Sequence, residues 1–141
     1  MAAADSERNV ERVRAGLDAF NRGDRDGVLA VLADDVEVFS SPALANPGTY
    51  HGHRGYQDWV GQWLEAWDGL TIEIGRIAPV GDRHVVVGVQ QTARGRGSGV
   101  QVDMTTAFMF ELDELGTRAL HLYATWDEAV AEAERRGVRP N

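Results

Sequence analysis

Hydrophobic positions in the first third of the chain recur at helical spacing. Val10, Val13, Leu17 and Phe20 stand three or four apart, which places one apolar stripe along a helix. The stretch NRGD ends it. Gly23 suits the left-handed position after a helix, and Asp24 suits the N-cap of the next. Val28, Leu29, Val31 and Leu32 predict a short second helix. DDVEVFS then alternates as a strand does, with Val36, Val38 and Ser40 on one side and Glu37 and Phe39 on the other. Tyr56, Trp59, Trp63 and Trp67 return to helical spacing, and Asp68-Gly69 is the expected end of that third helix. Such aromatic stripes usually pack as core, although one or two members can also wall a cavity.

The second half of the chain changes period. LTIEIGRIAPV, RHVVVGVQQTAR, GVQVDMTTAFMFEL and TRALHLYA are rich in β-formers and separated by turns at Gly81-Asp82, GRGSG and Leu115-Gly116. Short turns between successive strands predict an antiparallel meander. Parity sorts the side chains. Val100, Val102, Met104, Thr106, Phe108 and Phe110 form the more apolar face, which should point toward the helices. Asp103 and Met109 fall on the opposite face. Val85, Val87 and Val89 make Gln91 an inward polar residue. Leu120 and Leu122 point inward, leaving His121 and Tyr123 outside. TWDEAVAEAERRG predicts a last helix, with Thr125 and Glu128 at capping-box spacing and Gly137 as its close.

The expected fold class is therefore α+β. A curved antiparallel sheet wraps on three helices, forming a cone with an internal pocket, and a C-terminal helix follows. At 141 residues the chain suits one domain, residues 1–141. Its formal charge of -8 argues against nucleic acid and anionic membrane, which need clustered positive charge. No stretch is apolar enough to span a bilayer, and the N-terminus lacks a signal-peptide run, so the expected compartment is the cytoplasm. The chain has neither cysteine nor lysine. That excludes thiolate, zinc–cysteine and Schiff-base chemistry. The glycines of RGRGSG precede no helix, so they mark a hairpin tip and not a phosphate loop.

YHGHRG, residues 50–55, concentrates two of the four histidines. In an extended segment His51 and His53 would share a side and could converge on a metal. Two nitrogens are too few for zinc, and no third ligand is fixed by local spacing. No metal and no cofactor are expected. The segment SPALANPGTYHGHRG reads as a loop at the mouth of the cone.

Four stretches together, LDAFNRGDRDGVLAVLADDVEV, YHGHRGYQDWV, SGVQVDMTTAFMFEL and YATWDEAV, resemble the SnoaL-like branch of the nuclear-transport-factor-two-like superfamily. That superfamily includes ketosteroid isomerases, polyketide cyclases and limonene-type epoxide hydrolases. The resemblance implies a cone-shaped fold, commonly dimeric through its sheet, and a fold shared by many activities. It also allows a residue-by-residue test. The isomerase tyrosine that donates to the oxyanion falls on Gly16, its general base on Ser40 and its protonated aspartic acid on Thr106. One hydrolase aspartate falls on Leu122. None of these residues supplies the required base or acid.

Two readings of function follow. In one, the protein binds an apolar, ring-containing molecule without the isomerase or hydrolase chemistry. The expected pocket then takes Gly16 and Phe20 from the first helix, and Tyr56, Trp59 and Trp63 from the third. Val38, Ser40, Gln91, Met104, Thr106, Phe108 and Leu122 join them from the sheet, with Trp63 facing Met104 and Thr106. In the other, the protein is a cyclase- or isomerase-like enzyme whose acid–base group is His51 at the rim, assisted by Tyr50. Asp103 and His121 are expected on the outer face, in solvent or at an interface, and Asp34 and Asp35 in solvent. Phe39, Met109 and Tyr123 would be exposed on that face, which predicts a homodimer through it.

Overall fold

The computed structural model describes residues 2–44 and 47–138. Helix α1 (Ala2–Asn21) ends at Gly23, whose φ of 73° is the left-handed conformation a helix stop needs. Asp24 then caps α2 (Arg25–Val31) by accepting from the Gly27 amide at 2.9 Å. Strand β1 (Leu32–Ser40) follows without a loop, and β2 (Gly48–His51) returns beside it. Helix α3 (Gly52–Ala66) leads directly into β3 (Trp67–Val80). Strands β4 (His84–Gly95), β5 (Gln101–Asp113) and β6 (Gly116–Tyr123) complete the meander before α4 (Trp126–Val138).

The six strands form one curved sheet in the order β2-β1-β6-β5-β4-β3. The sheet is not wholly antiparallel, as the sequence reading had it: β1 and β6 run parallel. Register shifts bend it, within β3 between Asp68 and Thr71 and between Ile74 and Arg76, and between β5 and β6 near Glu111. Each extra residue increases local twist, which is how a sheet wraps into a cone. Gly116, with φ 125°, opens β6 where a Cβ would lie 2.8 Å from the Val31 carbonyl.

The concave face holds the main core. Val36, Val38, Val85, Val87, Phe108, Phe110, Leu120 and Leu122 pack there against Val13 and Leu17 of α1 and Tyr56, Trp59 and Trp63 of α3. Side chains of α1 tie that helix to the sheet. Asn21 donates to the Ile72 carbonyl at 2.7 Å and accepts from the Ile72 amide at 2.9 Å, satisfying both groups on edge strand β3. Asn9 donates to Asp82 O at 2.9 Å, and Arg12 to Asp113 O at 2.8 Å.

Four local expectations need correction. Trp67 is the first residue of β3, paired with Gly95, and not the end of a helical stripe. Asp68-Gly69 is a kink inside that strand, where Gly69 takes φ 64°. The supposed loop contains β2, and α3 begins at Gly52; Ala45 and Asn46 of that stretch lie outside the described residues. Helix α4 runs through Gly137 to Val138.

The largest correction concerns the outer face. Met109 is fully buried, together with Val86 and Ala107, under Ala129 and Ala133 of α4. The chain's own helix covers the patch that parity alone left open. The Thr125–Glu128 box starts this helix, with the Glu128 amide donating to Thr125 Oγ1 at 3.2 Å. Arg76 stacks 4.0 Å over the Trp126 ring and helps hold it down.

Candidate functional site

A cavity lies between α1, α2 and α3 and the concave face of the sheet. About 70 Å³ of it is open to the centres of water-sized molecules. Of the residues proposed from the sequence, Gly16, Phe20, Tyr56, Trp59, Trp63, Gln91, Phe108 and Leu122 line it. Gly16 matters by what it lacks, since a Cβ there would come 3.2 Å from Val31 Cγ2.

The other four proposed residues do not line the cavity. Val38 and Ser40 are completely buried on β1, Thr106 is buried on β5, and Met104 is half-buried against the main core. All four share the concave face. Their strands reach the cavity at other positions, β1 at Leu32 and β5 at Phe108 and Phe110. Sequence reasoning missed several lining residues, Arg12, Val60, Leu70 and Ile72 among them. Alternation through Leu70, Ile72 and Ile74 would have pointed to the last two. Nothing in the pattern singles out Arg12.

Buried polar atoms cluster on this face. Trp59 Nε1, Trp63 Nε1, Gln91 Oε1, Ser40 Oγ and Thr106 Oγ1 find no hydrogen-bond partner among the described residues. Native interiors contain few such groups, and each costs on the order of 1–3 kcal/mol. Trp59 and Trp63 stand one turn apart on α3, so their indoles share a face. Across the sheet, Gln91 pairs with Met104 and Val89 pairs with Thr106, which makes Gln91 and Thr106 diagonal neighbours on the concave side. Tyr56 adds a phenol whose pKa burial pushes up to about 12, so it remains a neutral hydroxyl. Among the described residues no carboxylate and no imidazole lines the cavity.

Tyr50 and His51 lie elsewhere. Both are on β2, opposite Val38 and Glu37 respectively. The Tyr50 hydroxyl accepts from Gln62 Nε2 at 3.3 Å, and His51 is exposed. The histidine pair of YHGHRG does not converge as an extended segment would make it. Gly52, at φ 72°, turns the chain between strand and helix. His53 then donates from Nε2 to the Leu32 carbonyl at 2.9 Å, which gives it a structural role. Among the described residues no three His, Cys, Asp or Glu side chains group as metal ligands.

The outer face carries the molecule's densest set of ionisable groups. Asp103 is exposed and accepts from Thr92 at 3.1 Å. His121 is neither in solvent nor at a free surface, because it is buried beside α4. Its Nδ1 accepts from the Tyr123 hydroxyl at 3.0 Å, and its Nε2 donates to Glu37 at 3.1 Å. Arg136 of α4 lies 3.3 Å from that same Nε2 and bonds Glu111 at 3.1 Å. His84 holds Glu111 from the other side at 3.2 Å. The hydrogen bond from His84 brings the Glu111 carboxyl down to about 2, with Arg136 adding to it. Burial is the main cause that lowers the His121 pKa. Asp34 and Asp35 are exposed, and Asp35 pairs with Arg118 at 2.9 Å.

Helices laid in the hollow of a curved, unclosed six-stranded sheet define the α+β cones of the nuclear-transport-factor-two-like superfamily. Within it, the chain belongs to the SnoaL-like domain family, whose model matches residues 13–119. No curated protein matches the chain by sequence. Solved structures share its fold. One is an NTF2-like protein of unknown function from Burkholderia pseudomallei K96243, with TM-score 0.74 and 20% identity, covering 87% of this chain and 95% of that one. A protein named for the SnoaL-like polyketide cyclases, from Jannaschia sp. CCS1, gives TM-score 0.73 at 19% identity, covering 96% and 95%. A protein of ketosteroid isomerase-like fold from Catenulispora acidiphila DSM 44928, in complex with trimethylamine, gives 0.70 at 14%, covering 88% and 92%. At these identities the likeness is one of fold.

Proposed function

We propose that the protein binds a small, largely apolar, ring-containing molecule in the cone cavity, without isomerase or epoxide-hydrolase chemistry. The observation that carries this reading is the lining. It is aromatic and aliphatic, and it contains no carboxylate or imidazole to move a proton. That a protein of the same fold, from Catenulispora, forms a complex with the small molecule trimethylamine is consistent with this reading. Size narrows the occupant. An apolar cavity of roughly 150 Å³ accommodates benzene, so with about 70 Å³ open a single ring is the upper limit and enters only as lining side chains give way. A rim mechanism through His51 and Tyr50 is disfavoured, because neither side chain reaches the lining.

The test is calorimetric titration of the protein with toluene and with phenol, beside tryptophan emission, in wild type and in Gly16→Met. Saturable binding of one equivalent, with an emission change, is expected. The methionine side chain should fill the space and abolish both. Absence of saturable binding, or binding unaffected by Gly16→Met, would overturn the reading. We also propose that two copies pair through the part of the outer face that α4 leaves uncovered, around half-buried Phe39 and Tyr123, whose rings stand 5.8 Å apart.

A further inference from the structure

The cavity is greasy, but its polar atoms follow a pattern. Trp59 and Trp63 are 4% and 8% exposed, line the cavity, and each carries an indole N–H with no acceptor among the described residues. An indole N–H can only donate. Gln91, at 3% exposure, lines the same space with its Oε1 unpartnered, and that atom can only accept. Two donors one helical turn apart on α3 thus line the same cavity as a β4 residue that offers an acceptor.

A pure hydrocarbon would leave all three groups unsatisfied and would seal them further from water. That arrangement is unfavourable, because an unmade buried hydrogen bond costs more than a made one contributes. We propose that Trp59, Trp63 and Gln91 are specificity-determining residues for a neutral single-ring ligand bearing both an acceptor oxygen and a hydroxyl. The indole N–H groups receive a carbonyl-type oxygen, and the ligand hydroxyl donates to Gln91 Oε1. The proposal rests on the cavity reading above and adds the polarity of the occupant. Charge supports neutrality: the cavity has no acidic side chain, and its one basic residue, Arg12, is held by the Asp113 carbonyl at 2.8 Å.

The experiment compares two probes of one shape. para-Hydroxyacetophenone carries a carbonyl and a hydroxyl, and para-ethyltoluene has a methylene in place of the carbonyl and a methyl in place of the hydroxyl. Binding is measured by calorimetry, and the indole N–H resonances by heteronuclear NMR, assigned with Trp59→Phe and Trp63→Phe. The hydroxy-ketone is expected to bind about tenfold more tightly than the hydrocarbon. It should move the Trp59 and Trp63 indole resonances downfield and leave those of Trp67 and Trp126 unmoved. Gln91→Leu should erase most of the tenfold preference while raising the thermal midpoint of the unliganded protein, since it removes an unsatisfied buried group. If both probes bind equally and the two indole resonances stay in place, the polarity inference is overturned and the cavity reading survives. If neither probe binds, both fail. If Gln91→Leu keeps the preference and lowers the midpoint, Gln91 is a structural residue and its part of the proposal falls.

Discussion

His51 and His53 sit two residues apart and have different fates. His51 ends an edge strand in solvent, while His53 reaches back from the first turn of α3 to the Leu32 carbonyl. The difference is testable by thermal or denaturant unfolding. His51→Ala should change stability by less than about 0.5 kcal/mol, as surface substitutions do. His53→Ala should cost about 1 kcal/mol, because it strands a carbonyl at the join of α2 and β1. Equal effects would contradict this division. At the same scale, Ser40 and Thr106 could be placed on the inner face from parity alone. That they lie off the cavity depends on which helix side chains cover them, and strand period carries no information about that.

Among the elements, α4 has the largest consequence. Its capping box and its alanines at 129, 131 and 133 are plain in TWDEAVAEAERRG, yet its docking site is not. It lies on the convex face, where Ala129 and Ala133 allow close approach to Met109 and Arg136 joins the network of His84, Glu111, Glu37 and His121. This network predicts acid sensitivity. Burial lowers the folded pKa of His121, so the unfolded chain takes up its proton first. Stability should be full above the ordinary histidine value of 6.5 and fall as pH drops through it toward the lower folded value. The groups facing His121 are Glu37 on β1, Tyr123 on β6, and Glu132 and Arg136 on α4. A second loss should come between 4.5 and about 2, where Glu111 is ionised only in the folded state. Thermal melts at about pH 7.5 and about pH 5.5 should show the first drop. His121→Phe should lower the midpoint at the higher pH and shrink the difference between the two. An unchanged difference would remove His121 as the cause.

For the whole molecule, the open question is assembly. Covering Met109 leaves a smaller apolar area than the sequence suggested, centred on Phe39 and Tyr123 with the His121 ring 5.2 Å from Phe39. Light scattering on a sizing column at micromolar concentration should give twice the chain mass. Phe39→Glu should return it to the mass of one chain without loss of helical signal. A wild-type protein of single-chain mass would refute pairing through this face. Among the described residues no helix is long and apolar enough to cross a membrane.

The period of side chains was enough to read the elements and faces. Helical stripes and strand alternation record which side of each segment is buried, and burial is local in its signature. Hence Val36, Val87, Phe108 and Leu122 could be assigned inward, whereas Gly16 is assigned to the hollow only by the family resemblance. Period does not record what lies over a buried side. Met109 reads the same whether a second copy or the chain's own α4 covers it, and a four-residue strand inside a proline- and glycine-rich stretch has too few alternations to show. The parallel neighbourhood of β1 and β6, the exit of α3 into β3 at Trp67, and the pairing of His121 with Glu37, 84 residues away in sequence, are long-range choices. They are settled by how the curved sheet closes on its helices, which is a property of the packed chain.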